Sequence, residues 1–131
     1  MKSILSAIVP LICLAACAGR SPVSEGNSFD SLYLLAENQW VQHHESDEFV
    51  RFQAQWLEFN NANHIDEQGN CYALARGPQD LILTQNAAGV IEQVTPRTSN
   101  RATDCFAEAF LGKEYPAPPF APFYHFMRMQ R

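Results

Sequence analysis

Several groups of side chains in this sequence could support metal chemistry. His43, His44 and Glu45 are adjacent in the chain, but neighbouring positions on a helix point to different faces and seldom chelate one ion. A solvated helix end is therefore the favoured interpretation. Met127 and Met129 could offer a thioether pair to copper, although methionines on a strand beside aromatic residues usually pack in a core. We therefore expect no bound metal and no cofactor.

The other candidates for catalysis are isolated or face solvent. His125 alternates with apolar residues, which favours a half-buried structural role, and His64 lies in a polar segment without ligand spacing. Asp104 and Glu108 are four residues apart and share the exposed face of a predicted helix. The sequence has no GxSxG, HExxH or GxxxxGK[ST] motif. We expect a protein that is not an enzyme, with a small hydrolase as the remaining alternative.

The composition limits the chain to one acidic domain. The chain has 131 residues, and a domain typically has about 150. Nine Lys and Arg residues stand against 14 Asp and Glu residues, which argues against a nucleic-acid partner and against electrostatic docking on an anionic membrane. Aromatic residues make up 11% of the chain and charged residues 18%, so the composition does not indicate disorder.

The first residues have the pattern of a signal peptide. Lys2 supplies a positive charge, and residues 4–16 form an apolar run with one proline. That run is too short to span a bilayer core of about 30 Å, which favours the apolar region of a signal peptide over a membrane helix.

A short motif at the end of this run resembles the lipobox of bacterial lipoproteins. Residues 14–17, Leu-Ala-Ala-Cys, place small side chains before a cysteine that would take up diacylglycerol. The resemblance implies removal of residues 1–16 and lipidation of Cys17, with residues 17–28 as lipidated cysteine and flexible tether. The alternative is an ordinary secretory peptide that contains a cysteine. Ala18 stands where an inner-membrane retention signal typically has Asp, which favours the periplasmic face of the outer membrane.

The two remaining cysteines in the domain are expected to form a disulfide. Cys13 lies in the predicted leader, so Cys71 and Cys105 are left in an oxidising compartment. Closing a loop of about 35 residues would contribute about 3.5 to 4 kcal/mol by the chain-entropy estimate. The alternative, a reactive or metal-binding pair, lacks both CxxC spacing and a neighbouring cationic cluster.

Helices are expected in the first half of the domain. The spacing of apolar residues predicts a helix over residues 29–44 with its N-cap at residues 30–31. Residues 49–59 fit either a helical face or the alternation of a strand, and the capping residues at 46–47 favour the helix. Residues 60–70 are expected to form a polar loop. The predicted apolar face of the first helix contains Phe29, Leu32, Tyr33, Leu35, Ala36 and Trp40.

Strands dominate the second half. Residues 71–76, 81–85 and 90–94 are predicted strands, and the last two are joined by a hairpin loop with Gly89 in a left-handed conformation. The alternation of apolar residues over 123–129 predicts the final strand.

A helix and a proline-rich segment separate the hairpin from the final strand. The helix is expected to be capped by Thr98 or Ser99, to end before Gly112, and to place Cys105 on its buried face. Residues 115–120 must be extended because of their prolines, as a crossover or alternatively as a polyproline ligand. The predicted class is α+β: a small antiparallel sheet of β-β-β-α-β order with one packed helix, preceded by one or two helices, in a single domain.

This order of elements resembles the C-terminal domain of the energy-transducing proteins TolA and TonB. The resemblance is carried by the turn at residues 88–90, the helix at 102–111 and the Tyr-Pro-Ala-Pro-Pro sequence at 115–119. It covers residues 81–129, and residues 70–131 are assigned to it as a unit. Those transducers have an uncleaved membrane helix and a long stalk, whereas this chain has a lipobox leader and a short tether.

The resemblance implies a disulfide-linked fold and a role in binding other proteins. TolA's domain pairs a sheet cysteine with a helix cysteine, as expected here for Cys71 and Cys105, although Cys71 lies further upstream than in the family pattern. Such domains bind other periplasmic proteins, often by offering a sheet edge to a partner's strand. We expect an outer-membrane lipoprotein that binds an unidentified envelope protein, or alternatively a structural accessory or pilot of a secretion or pilus assembly.

Overall fold

The computed structural model describes residues 28–131. The expectations for the leader, Cys17 and most of the tether lie outside these residues. The described chain is α+β, as predicted. Its elements in chain order are α1 (Phe29–His43), α2 (Asp47–Asn63), a 3-10 helix (Ile65–Leu74), β1 (Gln79–Gln85), β2 (Ile91–Pro96), α3 (Arg101–Phe110) and β3 (Phe123–Met129).

The three strands form one antiparallel sheet in the order β2-β1-β3. β1 and β2 form the predicted hairpin, and Gly89 has the expected positive φ, +95°. The register between β1 and β2 shifts between Thr84 and Gln85. β3 pairs regularly with β1 from Gln79–Met129 to Gln85–Phe123. β3 spans the residues that its alternating pattern predicted.

Helices cover both faces of the sheet: besides the predicted α3, the two helices that precede the sheet also pack on it. On one face, Phe29 and Leu32 of α1 pack on Ile82, with Tyr124 and Phe126 beside them. The main core lies on the other face, among α2, the 3-10 helix, α3 and the sheet. Its buried side chains include Phe49, Phe52, Trp56, Cys71, Leu81, Leu83, Phe106, Phe110 and Phe123. β3 has apolar side chains on both faces, and each face requires a cover.

α1 and α3 begin at side-chain caps that differ from the predicted ones, whereas α2 begins at a predicted cap. The hydroxyl of Ser28 accepts a hydrogen bond from the Ser31 amide, so α1 begins one residue before the predicted cap. Ser46 caps α2 in the same way, and residues 49–59 are helical. Asn100, not Thr98 or Ser99, caps α3, because its carboxamide accepts from two amides while the Thr103 hydroxyl accepts from the Asn100 amide.

The segment between α2 and β1 differs most from expectation. α2 extends to Asn63 instead of ending before a loop, and residues predicted as loop and strand form the 3-10 helix. Gly69 and Asn70 have φ values of +74° and +53°, which interrupt this helix and leave only short turns on each side. Cys71 therefore lies on a helical turn rather than on a strand, and the described sheet has three strands instead of four.

Candidate functional site

The predicted disulfide is present between the 3-10 helix and α3. Cys71 and Cys105 are joined at an S–S distance of 2.05 Å, and 34 positions separate them in the chain. Cys71 is fully buried, and Cys105 is partly buried on α3. A Cβ added at Gly69 would lie 3.2 Å from the Cys105 sulfur. The bridge therefore holds a segment that has little regular secondary structure against α3.

The adjacent histidines of α1 point to different aromatic neighbours. The His43 ring stacks on Phe120 at 4.2 Å between centroids, whereas the His44 ring stacks on Trp40 at 5.5 Å. Nδ1 of His44 also lies 2.9 Å from the Trp40 carbonyl oxygen. The two imidazoles are used separately in packing, and no group of three or more His, Cys, Asp or Glu side chains suitable for a metal ion occurs within residues 28–131.

The remaining candidate residues lie apart from one another. Asp104 and Glu108 are exposed on α3, as predicted, and His64 is an exposed C-cap of α2. Met129 is buried in the main core, and Met127 is partly buried beside it. The structure therefore brings none of these side chains together with another candidate catalytic group.

His125 is held in the core next to α2. Its ring lies 4.2 Å from that of Trp56 in an edge-on arrangement, and its Nδ1 is buried without a hydrogen-bond partner among the described residues. Burial lowers the pKa of His125 to about 4. The imidazole is therefore neutral at neutral pH, and its role is packing, as the sequence pattern favoured.

A chain of hydrogen bonds connects α2, the 3-10 helix and the extended segment after α3. The Tyr115 hydroxyl donates to the Asn60 side-chain oxygen at 2.8 Å, and the Asn60 amide donates to Asp66 at 2.9 Å. The Tyr72 hydroxyl donates to the other Asp66 oxygen at 3.0 Å. Burial and this bond raise the pKa of Tyr72 to about 12, and burial raises the pKa of Tyr115. Both phenols remain protonated donors, which is a structural role.

One cavity lies beside the N-terminus of α3. It has a volume of about 510 Å³, and Arg76, Arg101, Asn100 and Gln79 are among its lining residues. The first free amides of α3 already donate to the Asn100 side chain. The helix terminus is therefore not available to an anion through these amides.

The outer side of β2 is closed at Ile91 by the segment after α3. The Ile91 amide donates to the Lys113 carbonyl oxygen at 3.0 Å, and the Gly112 amide donates to the Ile91 carbonyl oxygen at 2.8 Å. The Arg97 amide donates inward to Asp80 of β1. Since strand residues alternate in direction, Val94 and Pro96 face outward beyond Ile91, and Pro96 has no N–H. Beyond the covered Ile91, a partner strand would find a single outward N–H here, that of Val94.

The outer side of β3 is open over most of its length. The Tyr124 amide donates to the Gln39 side-chain oxygen at 3.0 Å, so this amide points away from β1. The amides and carbonyls of Phe126 and Arg128 must point the same way, because strand residues alternate. Within residues 28–131 no hydrogen-bond partner is found for the Phe126 and Arg128 amides. The open edge, defined as the outward backbone groups of Phe126 and Arg128, is a surface to which a strand could add.

A groove adjoins the open edge. Its floor is residues 123–126 of β3, and its volume is about 350 Å³. The walls come from two helices on opposite sides of the strand. α1 contributes Tyr33, Ala36, Glu37 and Trp40, and α2 contributes Phe49 and Gln53. Apolar lining with a few polar groups is typical of sites that bind ligands or peptides.

Sequence reasoning did not identify the residues of this groove as a site. Gln39 and Pro122, which lie 83 positions apart, are joined by a 2.8 Å hydrogen bond that no local pattern shows. The only available indication was that β3 has apolar residues on both faces, which implies a helix on each side of the strand.

No helix within residues 28–131 is long and apolar enough to cross a membrane. Comparison with known proteins found no matching family model, no matching curated protein and no matching solved structure.

Proposed function

We propose that this chain is an envelope lipoprotein whose domain binds another envelope protein through the open edge of β3. The carrying observation is the contrast, among residues 28–131, between a β2 edge that is covered at Ile91 and ends in Pro96 and a β3 edge whose outward amides at Phe126 and Arg128 have no partner. An unprotected edge of a regular strand normally pairs with other chains unless something covers it. The TolA/TonB-like order of elements over residues 81–129 supports the same role.

The proposed location in the cell envelope depends on the lipobox-like residues 14–17. Lipidation at Cys17 would place the domain on the periplasmic face of the outer membrane, and the Cys71–Cys105 disulfide is consistent with an oxidising compartment. Cys17→Ser should abolish metabolic labelling of the chain by a lipid probe, while Cys13→Ser should leave labelling intact. Labelling that persists in Cys17→Ser would contradict the anchor.

The binding role is tested by a matched pair of substitutions at Arg128. Arg128→Pro removes an outward N–H without removing a hydrogen bond to β1, so the sheet is retained. Arg128→Ala also loses the ion pair with Asp80, but it keeps the amide. In cells treated with a cross-linker, we expect the proline variant to lose its envelope-protein adduct and the alanine variant to keep it. Equal adducts from both variants would contradict binding at this edge.

A second candidate function is that of a structural accessory or pilot that acts through α1 and α2. Six of the eight large apolar side chains that are exposed among the described residues lie on these helices. They are Leu34, Leu35, Trp40, Val41, Val50 and Leu57. Deleting the helices would remove Phe49, Phe52 and Trp56 from the core, so surface substitutions are the proper test. Leu34→Lys with Val41→Lys should abolish an accessory function and spare strand addition at β3.

A further inference from the structure

We propose that the open edge and its groove bind an extended segment in which Lys or Arg alternates with apolar residues, and that Gln39 occupies one end of the edge until that segment displaces it. This inference rests on the proposed function and specifies the chemistry of the partner. It is carried by the charge of the walls, by the apolar lining of the groove and by the geometry of the Gln39 amide.

The segment that contains both wall helices has a large excess of acidic side chains. Residues 28–64 have one guanidinium, that of Arg51, against six carboxylates. These are Asp30, Glu37, Glu45, Asp47, Glu48 and Glu58. A field of one sign beside a binding surface favours partners of the opposite sign and rejects partners of the same sign.

Cations at the other end of β3 do not cancel this field. Arg128 and Arg97 both pair with Asp80, and Arg97 also lies 3.4 Å from Asp30. Arg131 pairs with Glu67 at 3.5 Å. Each arginine near the open edge is therefore paired with a carboxylate. The carboxylate in the groove wall, that of Glu37, has no such cationic partner among the described residues.

Glu37 is the carboxylate that lines the groove itself. Tyr33 also lines the groove, and the Glu37 carboxylate raises the pKa of its phenol. No ion pair to Glu37 is formed within the described part of the chain. A lysine or arginine of a bound segment would find an unneutralised partner here.

The other lining residues suit apolar side chains at the alternate positions. Trp40 and Phe49 lie at 6.1 Å between ring centroids where the two walls meet, and half of the Trp40 surface is exposed. A strand added to β3 directs successive side chains to opposite faces. Its side chains would therefore meet the α1 wall and the α2 wall in turn.

Gln39 imitates the hydrogen bonds of a neighbouring strand. Its carboxamide oxygen accepts from the Tyr124 amide at 3.0 Å, and its nitrogen donates to the Pro122 carbonyl oxygen at 2.8 Å. In a parallel pairing, the C=O and N–H of one residue of a partner strand would make the same pair of bonds. A longer segment must therefore displace this side chain in order to pair along the whole strand.

The test uses two labelled peptides, one alternating lysine with valine and one alternating glutamate with valine, each about eight residues long so that they can pair along β3. Fluorescence anisotropy with the purified full chain in detergent should show binding of the lysine peptide that weakens as salt is added. The glutamate peptide should bind at least about tenfold more weakly, because it meets like charge.

Three substitutions localise the binding. Glu37→Gln should lower the affinity for the lysine peptide about fivefold. Glu58→Gln, which removes an equal charge outside the groove, should leave that affinity unchanged. Gln39→Met keeps the length of the side chain and removes both hydrogen bonds, so it should tighten binding about fivefold. Arg128→Pro should abolish binding of the lysine peptide.

Absence of binding by either peptide, equal binding of both, or binding that survives Arg128→Pro would overturn the proposal. Unchanged or weaker binding by Gln39→Met would overturn the role of Gln39. If the cellular adduct depends on the β3 edge while the peptides show no charge preference, the proposed function stands and this inference fails. If the adduct is independent of that edge, the proposed function itself fails.

Discussion

The two edge strands of the sheet share β1 as their neighbour, but their outer sides are very different. β2 is interrupted by a register shift, carries Pro96 at its end, and is covered at Ile91 by the segment after α3. β3 is regular over seven residues, and among the described residues only the Gln39 side chain bonds to its outer backbone, near one end. Within residues 28–131, the β2 edge is therefore protected in several ways, whereas most of the β3 edge is not.

This difference has a structural basis in how the two sides are held. The closed side is supported by the disulfide on α3 and by the backbone bonds of residues 112–115 to residues 89–91. The open side is supported by packing of α1 on β3 and by Gln39. Covalent and backbone restraints therefore lie where no partner is expected, and replaceable side-chain contacts lie where one is.

The largest change in stability is expected from removing the disulfide. Cys71→Ala with Cys105→Ala should lower the free energy of unfolding by about 3.5 to 4 kcal/mol, because the loop is no longer closed in the unfolded chain. Denaturant unfolding of this variant measures the loss, and the oxidised and reduced wild-type chains serve as controls. A loss below about 1 kcal/mol would mean that the closed side does not depend on the bridge.

Gly89→Ala should break the closed edge itself. A Cβ at this position would lie 2.1 Å from the Tyr115 carbonyl oxygen, and the residue has a φ of +95°. The segment that covers β2 must then move, and we expect a loss of about 3 kcal/mol in thermal or denaturant unfolding. Gly112→Ala is the matched control, since it also has a positive φ but an added Cβ meets no atom within 4 Å. It should cost about 1 kcal/mol.

His125 makes the open side sensitive to acid. Its pKa is about 4 in the folded protein and 6.5 in the unfolded chain. Between pH 4 and pH 6.5 the unfolded chain therefore binds more protons than the folded protein does. The stability contributed by neutral His125 is complete above pH 6.5 and is lost as the pH falls towards 4. We expect a loss of about 2 kcal/mol from this residue between pH 7 and pH 5, which His125→Phe should remove. An unchanged pH dependence in that variant would show that the imidazole is not desolvated.

Asp80 links the ends of the two edge strands, and its removal should have the smallest effect. Its carboxylate accepts from Arg128 of β3 and from Arg97 after β2, and the Arg128 bond above all lowers its pKa. Asp80→Asn should cost about 1 kcal/mol at neutral pH, because the arginines are half-exposed. This contribution is present above the ordinary carboxylate pKa and disappears as the pH falls through the lowered one. A cost that persists in strong acid would contradict an ionic origin.

Strong local patterns predicted part of this fold from the sequence. Alternation of Phe123, His125 and Met127 with Tyr124 and Phe126 identified β3, and the Gly89 turn identified the hairpin. The pairing of Cys71 with Cys105 followed from counting the cysteines outside the predicted leader. In each case, the residues that decide the structure are neighbours in the chain or have one available partner.

The parts that escaped prediction depend on contacts between distant residues. The 3-10 helix is short and is interrupted at Gly69 and Asn70, so its sequence shows no helical periodicity of apolar residues. Its position is set by the disulfide that joins Cys71 to α3. The groove exists because α1 lies beside β3, although Gln39 of α1 and its hydrogen-bond partner Tyr124 of β3 are 85 positions apart in the chain. Trp40, expected on the buried face of the first helix, is instead half-exposed at the rim of that groove.

The central claim is that β3, and not β2, receives a partner strand, and site-specific photo-crosslinking in cells tests it most directly. A photoreactive benzoylphenylalanine in place of Arg128 reports on the open edge, and one in place of the exposed Glu92 reports on the closed edge. We predict an adduct with another envelope protein from the first position and none from the second. Adducts of equal yield at both positions, or an adduct only from position 92, would contradict the claim.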